Sequence, residues 1–252
     1  MQREFALLKN GDSLLSLIDE SETRRDLAER RETKFVFEDT DVKTIRSLLQ
    51  GSSKRLVHNR PVSIVRSIYF DNASLSACHA NLDGLGLRRK LRLRWYDQMK
   101  PGTNCYLEIK WRDNRVTGKN RMRVSGETPI GERTYRRLYE ELYSIVPERL
   151  LADVVQYNEP VVIVEYKREH FASIDGRLRS TIDYDLKYYD QTGKRAISLS
   201  FPQCKPDFVV LEGKTPVGSE YELKEMFYPL QLRAQRCSKY VHGCAMLGLV
   251  AY

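Results

Sequence analysis

Between Arg88 and Val124 polar and apolar positions alternate at period two, three times over. Lys90, Arg92 and Arg94 share one side of the first segment, with Leu91, Leu93 and Trp95 on the other. Glu108 and Lys110 alternate with Leu107, Ile109 and Trp111 in the second. Lys119, Arg121 and Arg123 alternate with Met122 and Val124 in the third. Such alternation predicts three β-strands, each with one apolar and one charged face.

The same patterning predicts further elements. Residues 31–37 (RETKFVF), 62–71 (VSIVRSIYFD), the run VVIVEYKREHF after Pro160, 177–186 (RLRSTIDYDL) and 207–214 (DFVVLEGK) read as strands, with a short one expected at 194–200. Residues 1–30 read as helical on the spacing of Leu14, Leu15, Leu17, Ile18 and Leu27. A helix follows Asp39 or Asp41 and ends at Gly51, and Asn72 caps a short one. Residues 129–146 read as a helix interrupted by Pro147. From about Leu223 to Gly243 a helix broken near Pro229 places Arg233, Arg236 and Lys239 near one face.

Charge sharpens this picture. The chain of 252 residues carries +8, while Arg88–Arg123 alone holds twelve Lys/Arg and three Asp/Glu, a local +9. Lys and Arg on one strand face are ordinarily a solvated surface that keeps edges from pairing. Three adjoining strands with the same arrangement repel one another unless a counter-charge is present. A polyanion across that face supplies one, with Arg as planar forks and Lys as point charges for phosphate oxygens. RNA fits less well, because Trp95 and Trp111 lie opposite the cations and leave no stacking platform beside them.

Other classes are excluded or disfavoured. Mean hydropathy is −0.52 and no apolar run reaches the roughly 18 residues of a membrane helix. No signal-peptide core opens the sequence. Five cysteines without a CxxC pair suggest reduced thiols and a cytoplasmic protein, and the scattered histidines argue against a zinc site. His170 reads as a rim histidine rather than a base. About eight strands with charges on one face suit a closed antiparallel barrel, charged faces inward and apolar faces against surrounding helices.

In order along the chain, ETKFVF, VRSIYFDN, RRKLRLRWYD, LEIKWRDN, TGKNRMRV, EYKREHF, LRSTIDYDL, VVLEGK and QLRAQRCSKYVHG resemble the VTC domain of the vacuolar transporter chaperone family, among the CYTH-like triphosphate tunnel metalloenzymes. The resemblance implies an α+β fold: an eight-stranded antiparallel β-barrel with surrounding helices and a C-terminal helix closing one end. It covers residues 28–245, which makes 1–30 a helical extension and 31–252 a single domain. It implies that Lys34, Arg92, Arg94, Lys110, Lys119, Arg168, Arg179 and Lys239 act on the triphosphate and the growing chain. It implies substrate contacts from Ser238, and with less weight from Glu108 and Arg121, with Glu212 holding Mn²⁺ or Mg²⁺. Asp183 and Asp185 are further candidates for the tunnel wall, or ion-pair partners within it. Glu212, too, could simply pair with a neighbouring cation.

The implied activity is polyphosphate polymerase, with ATP and inorganic polyphosphate as partners. The hydrolytic branch carries ExExK on its first strand. Here the run is Arg30-Arg31-Glu32-Thr33-Lys34, which lacks the first glutamate and favours the polymerase branch. The SPX domain and membrane helices of the eukaryotic polymerase are not seen, so a stand-alone bacterial form is expected. A membrane-protein partner would be compatible, though no residue pattern marks its dock. A triphosphatase on the same fold and a non-enzymatic polyanion binder are the alternatives.

Overall fold

The computed structural model describes residues 15–20, 30–114, 116–227 and 233–251. Its strands are β1 (Leu15–Asp19), β2 (Arg30–Phe37), β3 (Ser53–Leu56), β4 (Ser63–Asp71), β5 (Leu87–Tyr96), β6 (Asn104–Asp113), β7 (Val116–Gly126), β8 (Glu159–Ser173), β9 (Arg179–Asp190), β10 (Gln203–Lys205) and β11 (Val209–Pro216). The helices are α1 (Val42–Gln50), α2 (Ser76–Leu82), α3 (Tyr135–Ile145), α4 (Glu148–Gln156), α5 (Glu220–Met226) and α6 (Lys239–Met246). None is long and apolar enough to cross a membrane.

All strand pairs are antiparallel, in the order β1-β7-β6-β5-β4-β8-β9-β11-β2, with β10 on β9 and β3 on β8. This corrects the expected closed eight-stranded barrel: among the described residues the sheet is open, and β1 and β2 end it. The sheet still curls, bringing Lys34 and Glu32 of β2 close enough to Lys110 of β6 to act on its charge across the interior. The free edge of β2 is met by a non-strand segment. Gln235 N donates to Lys34 O at 2.9 Å, and Lys34 Nζ to Cys237 O at 3.2 Å. The Gln235 bond occupies part of the backbone edge that a closing strand would use.

The two faces divide as the alternation requires. Leu91, Leu93, Trp95, Leu107, Ile109, Met122 and Val124 pack outward beneath α3 and α4. Phe35, Ile182, Val209 and Leu211 pack outward beneath α1 and α5. The third apolar cluster lies on the inner face. There Val162, Val164 and Tyr166 of β8 and Leu186 and Tyr188 of β9 receive Tyr240, Val241 and Cys244 of α6, so the C-terminal helix fills one end of the trough.

Local chemistry accounts for the helix starts. Asp41 accepts from Lys43 N, and Thr134 from Arg137 N. Pro147 begins α4 rather than kinking α3. At α2 the capping is shared: Asn72 Oδ1 accepts from Ser76 N, while Asp71 accepts from Ala77 N and Cys78 N. Tyr240 Oη donates to Asp71 Oδ2 at 2.6 Å, which ties α2 to α6.

Three sequence expectations differ from the structure. Leu15–Asp19 is a strand, with Leu17 opposite Val124; the rest of the expected helix over 1–30, apart from Glu20 and Arg30, lies outside the described residues. Residues 194–200 contribute one isolated bridge, Ala196 to Thr134, and the short strand is β10. The long C-terminal helix is two short ones. Residues 233–238 are non-helical, so Arg233 and Arg236 share no helical face with Lys239.

Candidate active site

Three strands build one wall. Register sets Arg92 opposite Glu108 and Glu108 opposite Arg121, and in the next row Lys90 opposite Lys110 and Lys110 opposite Lys119. Glu108, 1% exposed, is the carboxylate on which these cations gather. Arg92 donates to its Oε2 through Nε at 2.8 Å and Nη2 at 2.5 Å. Lys119 Nζ lies 2.5 Å from Oε1, and Arg94 and Arg121 each approach to 3.8 Å. Burial alone would raise this carboxyl, but Arg92, Arg94 and Lys119 outweigh it and hold it well below its ordinary value.

The guanidinium groups are also braced from the floor. Arg92 Nη1 donates to Tyr69 Oη at 2.8 Å. Arg94 donates to Ser67 Oγ at 3.0 Å and Tyr166 Oη at 3.2 Å. Arg121 lies over the Tyr106 ring at 3.8 Å. These contacts fix the orientation of cations that would otherwise sweep the trough.

The opposite wall comes from β8, β9, β11 and β2. Arg168 forms a two-pronged pair with Asp183, and Lys239, the first residue of α6, reaches the same carboxylate. Glu212 pairs with Lys214 at 3.1 Å. Burial opposes its ionisation, yet Lys214, Lys34, Arg168 and Lys110 hold it well below the carboxylate range. Glu32 pairs with Lys34 at 3.0 Å and lies close enough to Glu212 for each to disfavour the other's charge. Thr181 sits opposite Glu212, and its buried Oγ1 has no hydrogen-bond partner among the described residues. Ser238 caps α6 by accepting from Val241 N, and it also accepts from Lys90 Nζ.

The trough therefore brings together Lys34, Arg92, Arg94, Glu108, Lys110, Lys119, Arg121, Arg168, Asp183, Glu212, Ser238 and Lys239. Arg179 pairs across β9 and β11 with Lys214 and lies exposed at the mouth. His170 is also near the mouth, 4.7 Å from the His58 ring, and burial with the Arg168 charge pushes it down to about 4. Asp185 is a correction. A bulge between Glu165 and Lys167 shifts the β8–β9 register, and Asp185, in a left-handed backbone conformation, pairs at 2.6 Å with the exposed Lys167 outside the trough.

The sequence places Lys90 on the cationic strand face without assigning it a role, and gives no site role to Glu32, Ser67, Tyr69, Tyr166 and Lys214. Lys90 and Lys214 had a signal, since each stands two residues from a named site position on the same strand. Ser67 and Tyr69 had little, because β4 reads as an apolar strand.

As a candidate metal centre the site offers hard oxygen donors: Glu212, the neighbouring Glu32 and the orphaned Thr181 hydroxyl. Among the described residues no three His, Cys, Asp or Glu side chains cluster as a metal cage. The donors present fit an ion such as Mg²⁺ or Mn²⁺ that takes one or two carboxylates and completes its sphere with phosphate oxygens.

The fold is a curled antiparallel sheet whose inner face gathers cations around few carboxylates. The chain belongs to the VTC domain family, whose model matches residues 29–248. Among solved structures it is similar to the PH1819 protein from Pyrococcus horikoshii, with 11% identity and a TM-score of 0.46, covering 86% of this chain and 98% of that one. It is also similar to a putative adenylyl cyclase, HpAC1, from Hippeastrum, described as having a dominant triphosphatase activity. There identity is 14% and the TM-score 0.44, covering 85% and 96%. A putative adenylate cyclase from Vibrio parahaemolyticus is 10% identical with a TM-score of 0.42, covering 84% and 97%. Comparison with curated proteins gives no match.

Proposed function

We propose that the trough is the active site of a phosphotransferase that moves the γ-phosphoryl group of ATP onto the end of an inorganic polyphosphate chain and releases ADP. The observation that carries this reading is the convergence of Arg92, Arg94, Lys119 and Arg121 on the single carboxylate of Glu108. Buried and half-buried like charges at that density repel one another, and a chain of phosphates supplies the missing anions.

Phosphoryl transfer asks for alignment and charge neutralisation, with no need for a covalent protein nucleophile. The attacking group is a phosphate oxygen that is already ionised, so no side chain has to remove its proton. Arg92 and Arg94, braced by Glu108, Tyr69, Ser67 and Tyr166, present charge with little left to reorganise. Arg168 and Lys239 do the same from the facing wall. Glu212 and Glu32 would hold the divalent ion, whose chemistry is to neutralise charge developing on the transferred group. Arginine at position 30 leaves this strand with one acid where the hydrolytic motif has two, which favours transfer over two-metal hydrolysis.

A triphosphatase is the second reading, and one observation favours it. Helix α6 fills one end of the trough, and a closed end suits short products better than a threading chain. Incubation with ATP and Mn²⁺, with products resolved on a gel that separates phosphate chains, tests the two. A ladder of chains with matching ADP supports transfer, and free phosphate without a ladder supports hydrolysis. Neither product, with a short polyphosphate primer present, leaves a polyanion-binding module.

A further inference from the structure

The lysine row Lys90–Lys110–Lys119 differs from the neighbouring Arg92–Glu108–Arg121 row in holding no carboxylate. Direct cross-strand neighbours have Cβ atoms roughly 5 Å apart, so the row needs charge from elsewhere. Lys119 finds Glu108, and Lys110 feels Glu32 from across the trough. Lys90 has no such answer. Among the described residues its hydrogen-bond partner is the neutral Ser238 Oγ, at 2.9 Å. Around it stand Lys34 of β2, Lys110 of β6, and Arg88 and Arg92 of its own strand, with the Cys78 thiol of α2 nearby. Burial and those four cations push it down to about 7.

We propose that Lys90 is a direct substrate contact that forms, with Ser238, a phosphate subsite at the α6 end of the trough, beside the Arg92–Glu108–Arg121 row. The subsite takes one further phosphate of a condensed linear chain, and this assignment rests on the polyphosphate reading above. A phosphate oxygen there gives Lys90 the anion it lacks and fixes its proton. Binding near neutral pH therefore takes up a proton that the free protein holds only in part.

The test is titration calorimetry of the full chain with tripolyphosphate and with a longer linear polyphosphate, in EDTA, in two buffers of different ionisation heat. Lys90→Met is expected to weaken binding of the longer chain about tenfold, the loss of one charge-assisted phosphate contact, and to take up fewer protons than wild type. Lys90→Arg is expected to retain the affinity and lose the share of proton uptake that belongs to Lys90, leaving the share of Lys119. Wild-type affinity and uptake in Lys90→Met would overturn the assignment. So would a Ser238→Ala variant that matches Lys90→Met in affinity while both keep wild-type proton uptake, since Lys90 would then merely prop the cap of α6. Arg92→Ala separates the two levels. If it also binds normally, the polyphosphate reading fails; if it binds weakly while Lys90→Met does not, only the Lys90 subsite fails.

Discussion

Arg168 and Asp183 face each other across β8 and β9, with Nε–Oδ1 at 2.6 Å and Nη2–Oδ2 at 2.7 Å, and Asp183 is fully buried. Lys239 Nζ lies 2.7 Å from the same Oδ2, so one carboxylate joins the trough wall to the start of α6. Burial would raise Asp183, but Arg168 and Lys239 outweigh it and hold it at about 2. Asp183→Asn strands two buried cations and is expected to cost about 3–5 kcal/mol in urea unfolding near neutral pH. The folded value lies below the unfolded one of about 3.9, so this stabilisation is complete above it and lost as pH falls toward 2. The variant should therefore show a flatter loss of stability across that acid window.

Glu212 tests whether charge holds the substrate or turns it over. Glu212→Gln should lower Mn²⁺-dependent turnover by about 10²–10³-fold, the scale of removing one electrostatic contributor to a transition state. Binding of tripolyphosphate in EDTA should stay unchanged or tighten, because a negative charge has left a site that receives an anion. Calorimetry beside turnover assays checks this. Equal losses in both would mean that Glu212 acts only by positioning Lys214 and Lys34.

Much of this site was legible before the fold. Period-two alternation in residues 88–124 placed Arg92, Arg94, Glu108, Lys110, Lys119 and Arg121 on one face because both partners of each strand pair repeat it. What alternation cannot show is a bulge. The extra residue on β9 turned Asp185 outward while Asp183, two positions earlier, stayed inside. Closure was not legible either, since edge pairing depends on what meets β2, and that is the non-helical segment around Gln235. The five residues of β1 offer Leu15 and Leu17 equally to a strand and to a helix, and the free edge of β7 decides between them.

The depressed lysines set a pH dependence of the same sign as that of Asp183, in a higher window. Burial, opposed by Glu108 and reinforced by Arg92, brings Lys119 down to about 7, and Lys90 lies at about the same value. Unfolded lysine titrates near 10.4, so between about 7 and 10 the unfolded chain binds more protons. Stability of the ligand-free protein should therefore rise with pH across that window. Tripolyphosphate supplies the missing anions, so its stabilising effect should be largest below about pH 7 and shrink above it. Thermal unfolding with and without tripolyphosphate across this range reads both trends. A ligand effect that grew with pH would contradict the cation-excess account.

The seat of α6 depends on the absence of a side chain at residue 243. A Cβ on Gly243 would lie 2.7 Å from Tyr188 Cδ1 and 3.3 Å from Val162 Cγ2. Tyr188 has no room to yield, because its ring is fully buried and its hydroxyl bonds to His242 Nδ1 at 2.7 Å. Alanine is the better helix former by about 1 kcal/mol, yet overpacking at a closed site costs about 1–3 kcal/mol, so Gly243→Ala is expected to lose stability on balance. Gly51→Ala is the control, since an added carbon there meets nothing within 4 Å. Displacing α6 also moves Ser238 and Lys239. Gly243→Ala should therefore weaken tripolyphosphate binding at temperatures where the protein is still fully folded by circular dichroism. Normal binding together with reduced stability would mean that the start of α6 is held by Asp183 and Lys90 alone, independent of how the rest of the helix packs.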